Sequence, residues 1–222
     1  MKKSMADQAY LSIKQDIITL ELGPGLQIAQ SQLVARYQLG ITPIREALKR
    51  LEQEGFVQSI PRFGHIVSPI TIEDVRDIYE LRLILEKTAI HLAVQRASDQ
   101  QIAELREKAQ FTYTYQDRKS YQEFLAHNTT FHTAAVLLSG NQRLTDSITR
   151  LLDEMARIFH IGLDLRDSAN EMRAEHMALI EALEKRDADL AQQITHDQII
   201  TSEQRVIENL TGRTTIRSEI NF

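Results

Sequence analysis

The stretch GITPIREALKRLEQEGF, residues 40 to 56, places a hydroxyl, a guanidinium and an ammonium where they could meet one surface. On a helical wheel of about 100° per residue, Ile44, Ala47, Leu48 and Leu51 form a buried stripe. Thr42, Arg45 and Lys49 cluster on a flank that points away from it. Such a flank can read nucleic acid, because a guanidinium pairs with the two major-groove acceptors of guanine while hydroxyl and ammonium take phosphates or base edges. It can equally be a solvated face of the kind most amphipathic helices carry. The second chemical group is imidazole. Among seven histidines, the segment HNTTFHTAAVLLSGN sets Asn128 and His132 one turn apart, so that both reach a single point. His176 and His196 lie on later segments. Three imidazoles with one oxygen donor would suit one divalent metal ion of the zinc or nickel type. Each histidine taken alone is also an ordinary polar residue.

These residues need elements to position them. Tyr10, Ile13, Ile17 and Leu20 recur at helical spacing, and Gly23-Pro24-Gly25 must end that helix. A second short helix is expected from about Gln30 to Tyr37, burying Leu33, Val34 and Tyr37, and a third from Thr42-Pro43 to Gly55. Two β-rich runs follow, Phe56 to Ile60 and His65 to Ile70, around Pro61-Arg62-Phe63-Gly64, which has the composition of a hairpin tip. Three helices and a hairpin are the outline of a winged helix-turn-helix. In that arrangement Gln30, Ser31 and Arg36 would hold the phosphate backbone, and Arg62 with His65 would set the wing tip against the minor groove.

From Thr71 onward the chain has no proline, and six helices are expected at 72–97, 99–116, 119–139, 141–164, 168–186 and 188–210. Ser98-Asp99, Asp117, Gly140-Asn141, Asp167-Ser168 and Asp187 supply caps and turns. Long helices with short connections favour an antiparallel bundle. The expected fold class is therefore mainly α: a winged helix-turn-helix in residues 1–69, then an antiparallel all-α bundle in residues 70–222.

Composition narrows the function classes. The 222 residues are 42% hydrophobic, enough to bury a core. There is no cysteine, which removes disulfides, thiolate metal sites and catalytic thiols. No apolar run approaches the ~20 residues of a membrane span, and MKKSMADQAY lacks the apolar core of a signal peptide, so the expected compartment is the cytoplasm. The net charge of −5 is unevenly spread: residues 1–70 hold 8 Lys and Arg against 6 Asp and Glu, and the remaining 18 and 25 fall in residues 71–222. The basic excess belongs to the part with the Arg45 flank.

At this point the chain resembles a known family. The segment IAQSQLVARYQLGITPIREALKRLEQEGFV, followed by PRFGHIV, is similar to the DNA-binding head of GntR-family bacterial transcription regulators, above all through Thr42 to Leu48 and Leu51-Glu52 with Gly55. Three positions depart from the family pattern: Gln38 replaces the turn glycine, Gly40 the usual serine, and Ile41 an arginine that commonly contacts DNA. The remainder resembles the effector-binding and oligomerisation domain called FCD of the FadR subgroup, through YELRLILEKTAIHLAVQRA, NTTFHTAAVLLSGNQRL and EHMALIEALEKRDADLA. Six body helices are similar to its VanR-type members. In metal-binding members the resemblance implies Asp, His, His, His ligands. His132 and His176 match, Asn128 stands for the Asp, and the last position falls on Gln198, with His196 two residues early and about 200° round the helix. The resemblance also implies an effector cavity lined by Arg82, where a cation suits a carboxylate. A salt bridge from Arg82 to Glu86 at i+4 is the alternative.

The expected function is a ligand-responsive transcription regulator, a repressor rather than an enzyme, binding a palindromic operator as a homodimer under control of a small organic acid at Arg82, Asn128, His132 and His176. A metal-dependent enzyme built on the histidines, or an assembly protein that has lost DNA binding, are the rival readings.

Overall fold

The computed structural model describes residues 3–62, 64–163 and 167–218; of 118–119 and 212–218 it describes the backbone alone. The chain divides into two units, Met1–Ile70 and Thr71–Phe222.

The first unit begins with α1 (Met5–Ile18), started by a capping box in which the Ser4 hydroxyl accepts from the Asp7 amide while the Asp7 carboxylate accepts from the Ser4 amide. Ala9, Tyr10, Ile13 and Ile17 carry its buried face. Leu20 does not continue that face as its spacing suggested, because the helix stops at the Thr19 cap and Leu20 takes a φ of 63°. Next come α2 (Gln30–Tyr37) and α3 (Ile41–Gln53), and Ile44, Ala47, Leu48 and Leu51 of α3 are completely buried. Gln38, in the turn between them, is left-handed at φ 54° and ψ 36°, which accounts for the glycine that the resemblance places there. Gly40 caps α3 with no side-chain hydrogen bond. Glu54 ties the two long helices together: it accepts from the Tyr10 hydroxyl at 2.8 Å and from Lys14 at 2.9 Å, and Arg50 stacks 3.9 Å from the Tyr10 ring centre.

The hairpin pairs β2 (Val57–Ile60) with β3 (Gly64–Val67), Ile60 facing Gly64. Phe63 of its tip lies outside the described residues. β3 ends at Val67 rather than Ile70: the Ser68 amide makes a last bond to the Phe56 carbonyl, and Pro69 has no amide to continue the pairing. A further strand, β1 (Gln27–Ile28), pairs with β3 to give the sheet order β1-β3-β2. Two residues are too few to show periodicity, so only the pairing reveals it.

The second unit is all helical: α4 (Ile72–Arg96), α5 (Asp99–Lys108), α6 (Arg118–Leu137), α7 (Gln142–Leu163), α8 (Ala169–Glu184) and α9 (Ala188–Ser218). Thr71 and Ser98 start α4 and α5 with capping boxes. Its core gathers Ile90, Ala93, Phe131, Leu179, Ile180 and Leu183. Two expected helix ends move furthest. α5 ends at Lys108, not 116, because the Thr and Tyr run that follows holds a helix poorly and turns Tyr113 inward. The Tyr113 hydroxyl there accepts from the Ser168 amide at 2.8 Å, and its ring stands edge-on to Phe124. α9 runs past the expected end at 210 to Ser218. The expected end of α7 at Asp164 lies outside the described residues.

Two substitutions should move the first unit in opposite directions. Gln38→Gly relieves the left-handed strain and should stabilise it by up to about 1 kcal/mol. Leu48→Ala opens a cavity in the core and should destabilise it by about 2–5 kcal/mol. Urea unfolding followed by hydrogen exchange at first-unit amides reads both.

Candidate functional site

α3 is held by its buried stripe, and this fixes what it shows to the outside. Thr42, Arg45 and Lys49 are exposed on one flank, as their spacing predicts. The neighbouring charges are spent elsewhere: Lys14 pairs with Glu54, Arg50 with Asp7 at 2.9 Å and Arg36 with Asp16 at 2.7 Å. Arg45 and Lys49 make no ion pair among the described residues. Arg36, expected to hold phosphate, is paired with Asp16 through two nitrogens, and Asp16 also accepts from the Tyr37 hydroxyl. Gln30 and Ser31 open α2, the first half-buried and the second exposed. Arg62 is exposed at the hairpin turn with a φ of 70°, and His65 lies in β3 opposite Ser59 and Ile28. Ile41, at the start of α3, is 44% exposed, an unusual setting for a large apolar side chain.

The second site is a pocket within the helical unit. It is lined by Arg82 from α4, Asn128 and His132 from α6, Phe159 from α7, Met172, Glu175 and His176 from α8, and Gln198, Ser202 and Arg205 from α9. It offers about 290 Å3 of space, part of it open to solvent. The expected effector residues Arg82, Asn128, His132 and His176 are therefore brought together. Asn128 and His132, one turn apart on α6, both line the pocket. His196 stays out: its ring nitrogen lies 3.0 Å from the Asp197 carboxylate and its side chain is 40% exposed.

Arg82 combines both readings. It faces the pocket, yet its Nε donates to Glu86 at 2.8 Å, with 3% of each side chain exposed. The other Glu86 oxygen lies 3.4 Å from His132 Nδ1, and Arg82 Nη2 lies 3.4 Å from His132 Nε2. Burial would raise the Glu86 pKa, but the Arg82 guanidinium and then His132 outweigh it and lower the group from 4.5 to about 2. His176 packs 4.3 Å from the Phe131 ring centre and 5.3 Å from that of His132. Burial first, then His132 and Arg82, hold His176 well below its usual 6.5, so its imidazole is neutral.

Three buried atoms of pocket-lining residues have no hydrogen-bond partner among the described residues: Asn128 Oδ1, Gln198 Nε2 and Arg205 Nη1. Glu86 and Arg205 are the residues that sequence reasoning missed. Glu86 was weighed only as the i+4 neighbour of Arg82. Arg205 had a legible signal: Ala191, Thr195, Gln198, Ser202, Arg205 and Asn209 follow alternating steps of four and three along α9, an inward stripe whose later members are polar.

The donors do not fit the transition-metal ion that the resemblance implies at this place. Two of its four positions are the amides Asn128 and Gln198, both nitrogens of His132 already face Glu86 and Arg82, and a guanidinium stands beside them. Among the described residues no group of three or more His, Asp or Glu side chains could hold a metal ion.

A winged helix-turn-helix whose basic flank makes no ion pair among the described residues, in one chain with a helical body that holds a pocket partly open to solvent, defines a DNA-binding regulator with a ligand-binding domain. Residues 5–67 match the family described as bacterial regulatory proteins, gntR family, and residues 77–200 match the FCD domain. The chain belongs to this family of transcription regulators. It is 32% identical over 184 residues to the Nta operon transcriptional regulator of Aminobacter aminovorans, across 82% of this chain and 85% of that one. It is 29% identical over 200 residues to the transcriptional repressor GlaR of Escherichia coli K12, across 86% and 91%. In fold it is similar to the solved structure of E. coli McbR/YncC, with a TM-score of 0.70 at 24% identity over 92% of this chain and 99% of that one.

Glu86→Gln leaves Arg82 as a buried charge without its counterion and should cost the body about 3–5 kcal/mol at neutral pH. The folded-state pKa of Glu86 lies below its ordinary value, so its contribution is present above 4.5 and is lost as pH falls towards about 2. Urea unfolding of the two proteins should therefore show a stability gap that narrows across that window.

Proposed function

We propose that this protein is a repressor that binds a two-fold symmetric operator as a homodimer and responds to a small organic acid held in the body pocket. The exposed flank of α3 carries the reading: the helix that buries Ile44, Ala47, Leu48 and Leu51 turns Thr42, Arg45 and Lys49 outward, and neither cation has an ion pair among the described residues. Arg45 pairs bidentately with a guanine, Lys49 and Ser31 take phosphates, and Arg62 with His65 brings the wing to the minor groove. Ile41 offers an apolar contact to a thymine methyl in place of the arginine of the family pattern. Symmetry supports the dimer, since one head reads a few base pairs and two multiply the specificity. Relatives named as repressors, GlaR and RspR of E. coli K12, support the direction of control. No helix among the described residues is long and apolar enough to cross a membrane, in keeping with work on DNA in the cytoplasm.

Selection of bound genomic fragments by the purified protein at moderate salt tests this and should enrich a palindrome. On that site Arg45→Ala should weaken binding by about 10- to 100-fold and relax one base position. Lys49→Ala should weaken all sites alike and flatten the salt dependence by about one unit of slope. Failure to enrich any fragment, with or without added organic acids, would sink the regulator reading.

A further inference from the structure

The orphaned atoms of the body pocket say more about its ligand than its shape does. Asn128, Gln198 and Arg205 are 3%, 7% and 6% exposed, all three line the pocket, and each has one buried polar atom with no hydrogen-bond partner among the described residues. Buried polar atoms are normally paired, so three on one cavity form a complementary pattern: an acceptor, a donor and a charged donor. The two arginines of the wall are not equivalent. The charge of Arg82 is met at 2.8 Å by the buried Glu86. Among the described residues Arg205 has a single ion contact, a long one of 3.8 Å from its Nη1 to Glu171, whose side chain is half exposed. A ligand carboxylate approaching within hydrogen-bond distance of Nη1 replaces that loose contact with a charge-assisted bond. His176, neutral and beside the same space, adds no competing charge.

Resting on the organic-acid reading above, we propose that this pocket binds a short hydroxy acid without a metal ion. The carboxylate lies against Arg205 and accepts from the Gln198 amide, while the hydroxyl on a neighbouring carbon donates to Asn128 Oδ1. The Arg205 guanidinium supplies the positive charge, and the Asn128 and Gln198 amides, where the resemblance calls for an Asp and a His ligand, serve as hydrogen-bonding groups.

Calorimetric titration of the full chain in excess chelator tests this, using 2-hydroxy acids of about three to six carbons, each beside its deoxy counterpart. At least one hydroxy acid should bind, about tenfold or more tighter than its deoxy form, with an affinity unchanged when the chelator is left out. Arg205→Gln should weaken it by about 10- to 100-fold. Asn128→Asp should also weaken it, because a carboxylate repels the anion, whereas a metal-dependent pocket would gain affinity from the same change. Circular dichroism confirms that both variants are folded, and Asn128→Leu, which should abolish the hydroxy preference but not deoxy-acid binding, serves as a second probe. Binding that requires added zinc or nickel, or that Arg205→Gln leaves intact, overturns the proposal while the organic-acid reading stands. If no acid binds with or without metal, both fall.

Discussion

Arg82 and Glu86 sit one turn apart on α4 with almost none of either side chain in water. Burying each ion alone would cost several kcal/mol, so neither can be inside unless the other is, and the pair still has lone pairs and protons to satisfy. His132 from α6 answers both demands by placing its two ring nitrogens against the carboxylate and the guanidinium. This arrangement sets the plane of the imidazole. It also spends both nitrogens. Much of the chemistry of the pocket follows, since a histidine so engaged has no lone pair for a metal, and an arginine so neutralised has little charge left for an anion.

The first unit obeys a similar logic with opposite outcome. Three of its six acids lie where they hold helices together, Asp7 with Arg50, Asp16 with Arg36 and Glu54 with Lys14. Exposed pairs of this kind add little stability each, so their larger effect is on the field. They neutralise the cations away from the α3 flank and leave Arg45 and Lys49 to act outward. Gln38 and Gly40 show how far the frame tolerates departures from the family pattern. The left-handed turn is kept with a glutamine in it, and α3 begins at Ile41 without a side-chain cap. The small energetic cost is local, and the flank keeps its direction.

Much of this was legible in the sequence where periodicity was long. The α3 stripe, the hairpin and the six body helices come from spacing and punctuation that local physics enforces. What stayed hidden was decided by partners distant in the chain. β1 exists because β3 lies beside it, and α5 stops early because Tyr113 finds Ser168 and Phe124. At the pocket, the turn between Asn128 and His132 could be read, whereas the burial of Glu86 could not, because an i, i+4 ion pair looks the same on a surface and in a core. The Arg205 stripe on α9 was readable in principle, but polar residues at inward positions look like a broken pattern until something is known to need them.

Unpaired polar atoms in a buried wall also bear on how occupancy could be transmitted. A ligand moves a conformational equilibrium only by binding one arrangement better than another. Asn128 sits on α6, and Gln198 and Arg205 on α9, so an arrangement in which their polar atoms converge is penalised by about 1–3 kcal/mol for each atom left unmade. A ligand that completes all three removes that penalty in this arrangement alone. An arrangement in which α6 and α9 shift enough to pair those atoms otherwise would gain nothing from the ligand. The coupling free energy of a ligand-responsive regulator can therefore come from the wall itself, and it falls on α9, the helix that packs along α4 and carries the polar stripe from Gln198 to Asn209.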